Sequence, residues 1–173
     1  MAGNFMANIG LGEAYFQKGE YKKSQWHFGK ATSVAENNMW TNSDVNRCNI
    51  AITRAKVKNN EKEKNIEQLY QFVHENKYKC YDGIIRRYLA EILINIDDLH
   101  LAEAEDWIEK AIEADNRNGM MFSLGQDHAL YAELFQRLGD QSKAKENLSK
   151  SIKIFKECGA DGWVEKYEKD LTP

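Results

Sequence analysis

A pattern of small and apolar residues recurs along this 173-residue chain at intervals of about forty residues, and no other feature constrains the fold as strongly. The clearest copy consists of Leu11, Gly12, Tyr15, Gly19, Tyr21, Phe28 and Ala31. A second copy consists of Tyr131, Ala132, Phe135, Gly139, Ala144, Leu148 and Ile152. A third copy, with a longer turn between its halves, consists of Leu89, Ala90, Leu93, Ala104, Ile108, Ala111 and Ile112. Each copy is typical of two amphipathic helices joined by a tight turn. Because one such unit cannot bury its apolar face alone, the pattern predicts an all-α solenoid of stacked helix pairs.

The helical periodicity divides the chain into four antiparallel pairs and one terminal helix, nine helices in all and no sheet. We expect the pairs at residues of about 4–38, 43–76, 80–115 and 119–158, in a right-handed superhelix. The terminal helix, at about 161–171, has an apolar side and a charged side, as expected of a helix that caps a solenoid. The other end has no such cap, since Phe5 and Met6 lie close to the first residue. That edge is predicted to pack on a second copy of the chain or on another part of a longer protein.

These residues resemble the tetratricopeptide repeat (TPR), whose pattern is Leu-Gly-x-x-Tyr, then Gly, then Ala-x-x-x-Phe-x-x-Ala. Residues 5–38 fit this pattern closely, 125–155 and 84–115 fit it fairly well, and 44–76 fit only as a helical pair. The proline that usually closes each repeat is missing, because the only proline is Pro173. The runs 102–115 and 156–171 also look like the long-helix C-terminal regions of bacterial signalling proteins linked to cyclases and ATPases. The resemblance implies a single helical domain that binds other proteins and is not an enzyme.

Composition and motifs narrow the possible partners. The net charge of −3 argues against nucleic acid, and no apolar run is long enough for a membrane span. The three cysteines form no CxxC pair, which favours reduced thiols in a cytoplasmic protein, and no histidine or cysteine spacing indicates a metal. No motif calls for a cofactor, so we expect none. Three tryptophans at helical spacing, Trp26, Trp107 and Trp163, are predicted to pack in the core.

The resemblance also implies where a partner would bind. In TPR proteins the first helix of each pair lines a concave groove, and certain positions on that helix face into it. Carried onto the three readable repeats, the candidate binding residues are Ile9, Glu13, Phe16 and Gln17, then Arg87, Tyr88, Glu91 and Asn95, then Gln126, Leu130, Glu133 and Arg137. The Lys, Asn and Arg residues with which some TPR proteins hold a C-terminal carboxylate are not at these positions in the first repeat.

Glu13, Glu91 and Glu133 occupy the same position in three repeats, so their carboxylates are expected to recur along the groove. One interpretation is that they bind a basic segment of a partner. The other is that each pairs with a basic residue of a neighbouring helix and only holds the helices together.

The preferred functional hypothesis is a non-catalytic scaffold that binds a peptide or protein segment in the groove. The alternative is a regulatory or dimerisation module that acts within a multidomain bacterial signalling protein containing a cyclase, a kinase or an ATPase. A small-molecule sensor with a pocket between helices is a third hypothesis, which no sequence feature favours.

Overall fold

A computed structural model describes residues 2–38, 40–61 and 65–171, excluding the side chains of residues 2, 3 and 171. This part of the chain contains nine α-helices, one short 3₁₀ helix at Asp98–His100, and no strand. The α-helices are α1 Ala2–Gln17, α2 Tyr21–Asn37, α3 Asn42–Lys58, α4 Ile66–His74, α5 Lys79–Ile96, α6 Leu101–Arg117, α7 Met121–Leu138, α8 Gln141–Glu157 and α9 Asp161–Leu171. The prediction of an all-helical protein without a sheet is confirmed for the described residues.

The outer bounds of the four expected helix pairs and of the terminal helix lie within two residues of the helix ends in the structure. Within the second pair, α4 has only nine residues. Residues 62–64 lie outside the described part of the chain, and α4 begins at Ile66. The side chain of Asn65 caps this helix by accepting a hydrogen bond from the Gln68 N–H at 3.2 Å.

Helices that are consecutive in sequence pack against each other throughout the described chain. The packing is not limited to consecutive helices, because α5 also contacts α3 and α7 directly. α5 is therefore central to the fold. Its buried residues include Tyr88 and the run from Leu89 to Ile94.

The turn between α7 and α8 shows why a glycine is needed at the end of a helix. Gly139 has a φ of 80°, in the left-handed region that other residues rarely adopt, and its N–H bonds to the Gln136 carbonyl at 3.1 Å. The next residue, Asp140, then caps α8 through its side chain, which accepts from the Lys143 N–H at 3.0 Å. One Gly-Asp dipeptide thus ends α7 and begins α8.

The α1–α2 and α7–α8 pairs each bring two helix axes close together with the same three residue types, a glycine, a serine and a phenylalanine. A methyl group on Gly12 of α1 would lie 2.8 Å from the Phe28 ring of α2, and the Ser24 hydroxyl donates to the Gly12 carbonyl at 2.8 Å. In the α7–α8 pair, Gly125 lies against Phe155, and the Ser151 hydroxyl donates to the Gly125 carbonyl at 2.7 Å. In both pairs the absence of a side chain leaves space for an aromatic ring, and a buried serine bonds to the backbone there.

The apolar interior consists of two clusters. The larger one extends from α1 to α7. The smaller one contains Ala132, Leu148, Ile152, Phe155 and Val164, from α7, α8 and α9. Trp163 and Tyr167 of α9 cover this cluster and stack on the Phe155 ring at centroid distances of 5.4 and 5.9 Å.

The core prediction for Trp26 is wrong. Its side chain is 58% exposed on α2, where its ring lies edge-on to His27 and beneath the ammonium group of Lys30. Helical spacing indicates which side of a helix a residue occupies, but α2 packs on α1 and α3, and no described helix covers the Trp26 side. No described helix combines the length and apolar character that a membrane crossing requires.

Alanine substitutions at two glycines of α1 test the role of close packing. Gly12→Ala is expected to lower the free energy of unfolding by about 1–3 kcal/mol, because the added methyl group overlaps the buried Phe28 ring. Gly10→Ala is the matched control, since a methyl group there meets open space. The control substitution is expected to raise the free energy of unfolding by about 0.5–1 kcal/mol, because alanine has a higher helix propensity than glycine. Urea denaturation of both variants measures the difference, and equal effects would contradict the packing argument.

Candidate functional site

A groove with a volume of about 550 Å³ lies on the surface that the odd-numbered helices share. Each of α1, α3, α5, α7 and α9 contributes at least two lining residues, and α2 and α8 contribute one each. The lining includes Phe16 and Gln17, Arg54 and Lys58, Arg87 and Glu91, Leu130 and Glu133, and Tyr167 and Asp170. Alternate helices therefore meet at one surface, although they are about forty residues apart in the sequence.

The candidate binding residues fall into two groups. Seven line the groove: Phe16, Gln17, Arg87, Glu91, Gln126, Leu130 and Glu133. The other five, Ile9, Glu13, Tyr88, Asn95 and Arg137, are not part of its lining. Among these five, Ile9 and Tyr88 are buried in the large apolar cluster. Their positions correct the expectation that these two side chains contact a partner.

Arg54 of α3 lies between two of the three glutamates. Its Nε donates to Glu91 Oε2 at 2.6 Å, and its Nη1 donates to Glu13 Oε2 at 3.2 Å. The Tyr88 hydroxyl donates to the other oxygen of Glu13. The guanidinium group also lies over the Phe16 ring at 3.5 Å and the Tyr88 ring at 4.4 Å. One buried cation thus joins α1, α3 and α5.

The environment of Arg54 keeps it charged. Burial alone would lower the pKa of Arg54, but Glu91 and Glu13 more than offset this, and its pKa lies above the ordinary value. Burial and the neighbouring Glu13 carboxylate raise the pKa of Tyr88, so its hydroxyl keeps its proton and donates to Glu13. The carboxylates of Glu13 and Glu91 therefore hold helices together, and neither is free to bind a partner.

Glu133 is in a different environment from the other two glutamates. Its side chain is 51% exposed, and the nearest cation, Lys58 Nζ, is 3.7 Å from Oε1. Lys58 also donates to the amide oxygen of Asn95 at 3.4 Å. Glu133 is therefore the one member of the repeated glutamates that presents its carboxylate to the groove.

Arg87 connects the groove to the protein interior. Its Nη1 donates to Asp127 Oδ1 at 2.9 Å and to the Ser123 carbonyl at 3.1 Å, while Nη2 donates to Gln126 Oε1 at 2.8 Å. Burial alone would lower the pKa of Arg87, but the Asp127 carboxylate more than offsets this and raises it. Arg87 is therefore a fixed part of the groove wall.

The last two candidates also make contacts within the protein. Arg137 binds Asp98 through Nε at 3.0 Å and Nη2 at 2.6 Å, and donates to the Ile94 carbonyl. Asn95 donates its amide to the Glu91 carbonyl at 2.7 Å. The Arg137 contacts join α7 to the end of α5 and to the turn that follows it, while the Asn95 contact lies within α5.

Sequence reasoning missed the groove residues from α3 and α9. Arg54 and Lys58 lie in the least regular repeat, where no groove positions were assigned. Arg54 nevertheless falls between Glu13 and Glu91 at about the repeat spacing, and that register was the available signal. Tyr167 and Lys166 were assigned to a cap, yet both line the groove. Burial, and next the Glu133 and Glu91 carboxylates, raise the pKa of Tyr167 to about 12.

Among the described residues, no cluster of three or more His, Cys, Asp or Glu side chains could hold a metal ion. No protein-family model matches the chain, and no curated protein sequence matches it either. The resemblance to TPR proteins therefore depends on the residues of the repeats themselves.

Two conservative substitutions separate the structural glutamates from the exposed one. Glu91→Gln is expected to lower the free energy of unfolding by about 2–4 kcal/mol, because it leaves buried Arg54 without its closest carboxylate. Glu133→Gln, at a half-exposed site, is expected to change it by less than about 0.5 kcal/mol. Urea denaturation at neutral pH gives both values. A similar loss for the two variants would contradict the different roles assigned here.

Proposed function

We propose that this protein is a non-catalytic scaffold that binds a peptide or protein segment in the groove formed by its odd-numbered helices. The observation that carries the proposal is the convergence of α1, α3, α5, α7 and α9 on one groove of about 550 Å³. Helices that alternate in this way provide a continuous surface for an extended or helical segment. Arg54 and Arg87 line this groove but are already bound to carboxylates within the protein, so the proposal assigns recognition of the segment to other lining residues.

We also propose that the helices form a TPR-like solenoid. Three observations support this arrangement: consecutive helices pack against each other, α5 contacts both α3 and α7, and the α1–α2 and α7–α8 pairs share the same Gly, Ser and Phe contacts. In such an arrangement the first helix of each pair faces the groove, which agrees with the helices that line it.

The groove lining indicates the chemistry of the bound segment. Leu130 and Ala129 are mostly buried, with exposures of 6% and 8%, but they line the groove as an apolar wall, and Tyr167 and Trp163 add aromatic surface beside it. Glu133 lies on the same helix as the apolar wall and is half-exposed. We therefore propose that the segment places an apolar side chain against Leu130 and a lysine or arginine against Glu133.

Charge reversal in the groove tests this proposal. Peptides selected from a random library on the wild-type protein are expected to bind Glu133→Lys about tenfold more weakly or worse, because a cation of the peptide then faces a lysine. Glu113→Lys is the matched control, since Glu113 is 76% exposed on α6 and does not line the groove. Fluorescence anisotropy with labelled peptides measures both affinities.

Amide chemical-shift mapping provides a second measurement on the wild-type protein. Bound peptides are expected to shift amides near Gln17, Glu91, Leu130 and Tyr167. Shifts confined to residues outside the groove, or equal affinities for the two variants, would contradict the proposal.

A second candidate function is dimerisation, and the outer face of α1 favours it. The only charged residue of α1 is Glu13, which points inward to Arg54 and Tyr88. The exposed residues of the helix include Ala7, Gly10, Leu11 and Ala14, and Ala7 and Leu11 line a depression together with Trp26 of α2. Because the exposed residues of α1 carry no charge, this helix can pack against the same helix of a second copy without bringing like charges of α1 together.

Light scattering after size-exclusion chromatography tests this second function. If α1 forms the contact, the wild-type protein is expected to be a dimer at micromolar concentration, and Leu11→Glu is expected to be a monomer. Leu99→Glu is the control, because Leu99 is 90% exposed and lies far along the chain from α1. A wild-type protein that stays monomeric at high concentration would exclude dimerisation through α1.

A further inference from the structure

Two aspartate carboxyl groups are buried together where α5, α6 and α7 meet. Asp115 is near the end of α6 and Asp127 is in α7, and their relative exposures are 1% and 0%. One cation faces them from α5. Arg87 Nη1 is 2.9 Å from Asp127 Oδ1 and 4.0 Å from Asp115 Oδ2. In the described structure, the Oδ2 atom of each aspartate is buried without a hydrogen-bond partner.

Gly83 of α5 explains how a carboxyl group can occupy this position. A methyl group on Gly83 would lie 1.9 Å from Asp115 Oδ1 and 2.1 Å from its Cγ. The Asp115 carboxyl group therefore takes the space that any side chain at position 83 would need. This contact places the carboxyl group directly against the backbone of α5.

The other titratable groups near the two aspartates are paired with other residues. On α5, Asp82 binds Arg86 at 2.7 Å and Arg117 at 3.0 Å, and it adds negative charge near Asp115. On α7, His128 shares a hydrogen bond with Asn147 at 3.0 Å, and burial lowers the pKa of His128. Among the residues that the structure describes, Arg87 is thus the cation paired with the two buried carboxyl groups. If both carboxyl groups were ionised, the cluster would carry a net negative charge in the interior, which is costly.

We propose that Asp115 keeps its proton at neutral pH and donates it in a hydrogen bond to the ionised carboxylate of Asp127. The proton gives a partner to both unpaired oxygens and leaves the cluster neutral, with one carboxylate opposite one guanidinium. The proton belongs on Asp115 because Asp127 is the carboxylate closer to Arg87. The contact between α6 and α7 therefore depends on protonation, and this holds whether or not the groove binds a partner.

The expected pKa values agree with this arrangement. Burial, and next the Asp127 carboxylate, raise the pKa of Asp115 from 3.8 to about 8. Burial also raises the pKa of Asp127, while Arg87 opposes that change. The folded protein then holds a proton on Asp115 that the unfolded chain releases at about pH 4. The contribution of this proton to the stability of the folded protein is complete below about pH 4. It is lost progressively as the pH rises and is gone above about pH 8.

Two asparagine variants test the proposal by chemical denaturation between about pH 5 and pH 9. Asp115→Asn keeps the shape and replaces the hydroxyl donor with an amide donor that does not titrate. The ratio of the equilibrium constant for unfolding of the wild type to that of Asp115→Asn is expected to rise by up to about tenfold per pH unit until about pH 8. Asp127→Asn removes the closest carboxylate of Arg87, so it is expected to unfold more readily than Asp115→Asn at every pH.

A constant ratio of the two equilibrium constants for unfolding, wild type to Asp115→Asn, over this pH range would overturn the proposal. So would an Asp127→Asn variant more stable than Asp115→Asn, since the proton would then reside on Asp127. If a variant does not fold, the carboxyl ¹³C signals of the wild-type protein decide the question. One buried aspartate is expected to titrate with a midpoint near pH 8, and midpoints below about pH 5 for every aspartate would exclude a retained proton.

Discussion

The interaction on which the rest of the structure depends is the burial of Arg54 between Glu13 and Glu91. Removing a guanidinium group from water is costly, and that cost is offset only while both carboxylates and the two aromatic faces remain in place. The requirement ties α1 and α5 to α3, although α1 and α5 are far apart in the sequence. Phe16, Arg54 and Glu91 also line the groove, so the interaction that orders these helices also shapes the candidate binding surface.

The sequence was sufficient to predict the helices because the relevant signals are local. Apolar periodicity and residues such as Gly139 and Asp140 act within one or two turns of the chain. Seven of the twelve candidate binding residues also line the groove, since repeat position indicates the direction in which a side chain points. The role of Arg54 could not be predicted in the same way. It depends on side chains of α1, α3 and α5 meeting at one place, and the repeat that contains Arg54 is the least regular of the four.

The three repeated glutamates show what repeat position leaves undetermined. Glu91 is 10% exposed and is bound to Arg54, whereas Glu133 is 51% exposed and only approaches Lys58. Equivalent positions share a direction, but the residue on the next helix decides whether a carboxylate forms an internal ion pair or faces solvent. Both interpretations of these glutamates therefore apply to the same chain: the structural one to Glu13 and Glu91, and the partner-binding one, as a proposal, to Glu133.

The separate apolar cluster at the C-terminal end has a consequence for motion. α9 packs on α8 through a small cluster of its own, and the Arg54 contacts lie in the other part of the molecule. Local opening of α9 therefore requires less free energy than global unfolding and leaves the helices around Arg54 in place. Tyr167 and Trp163 would leave the groove wall in that open state. Such opening would widen the groove, and hydrogen exchange in α9 would report the population of the wider form.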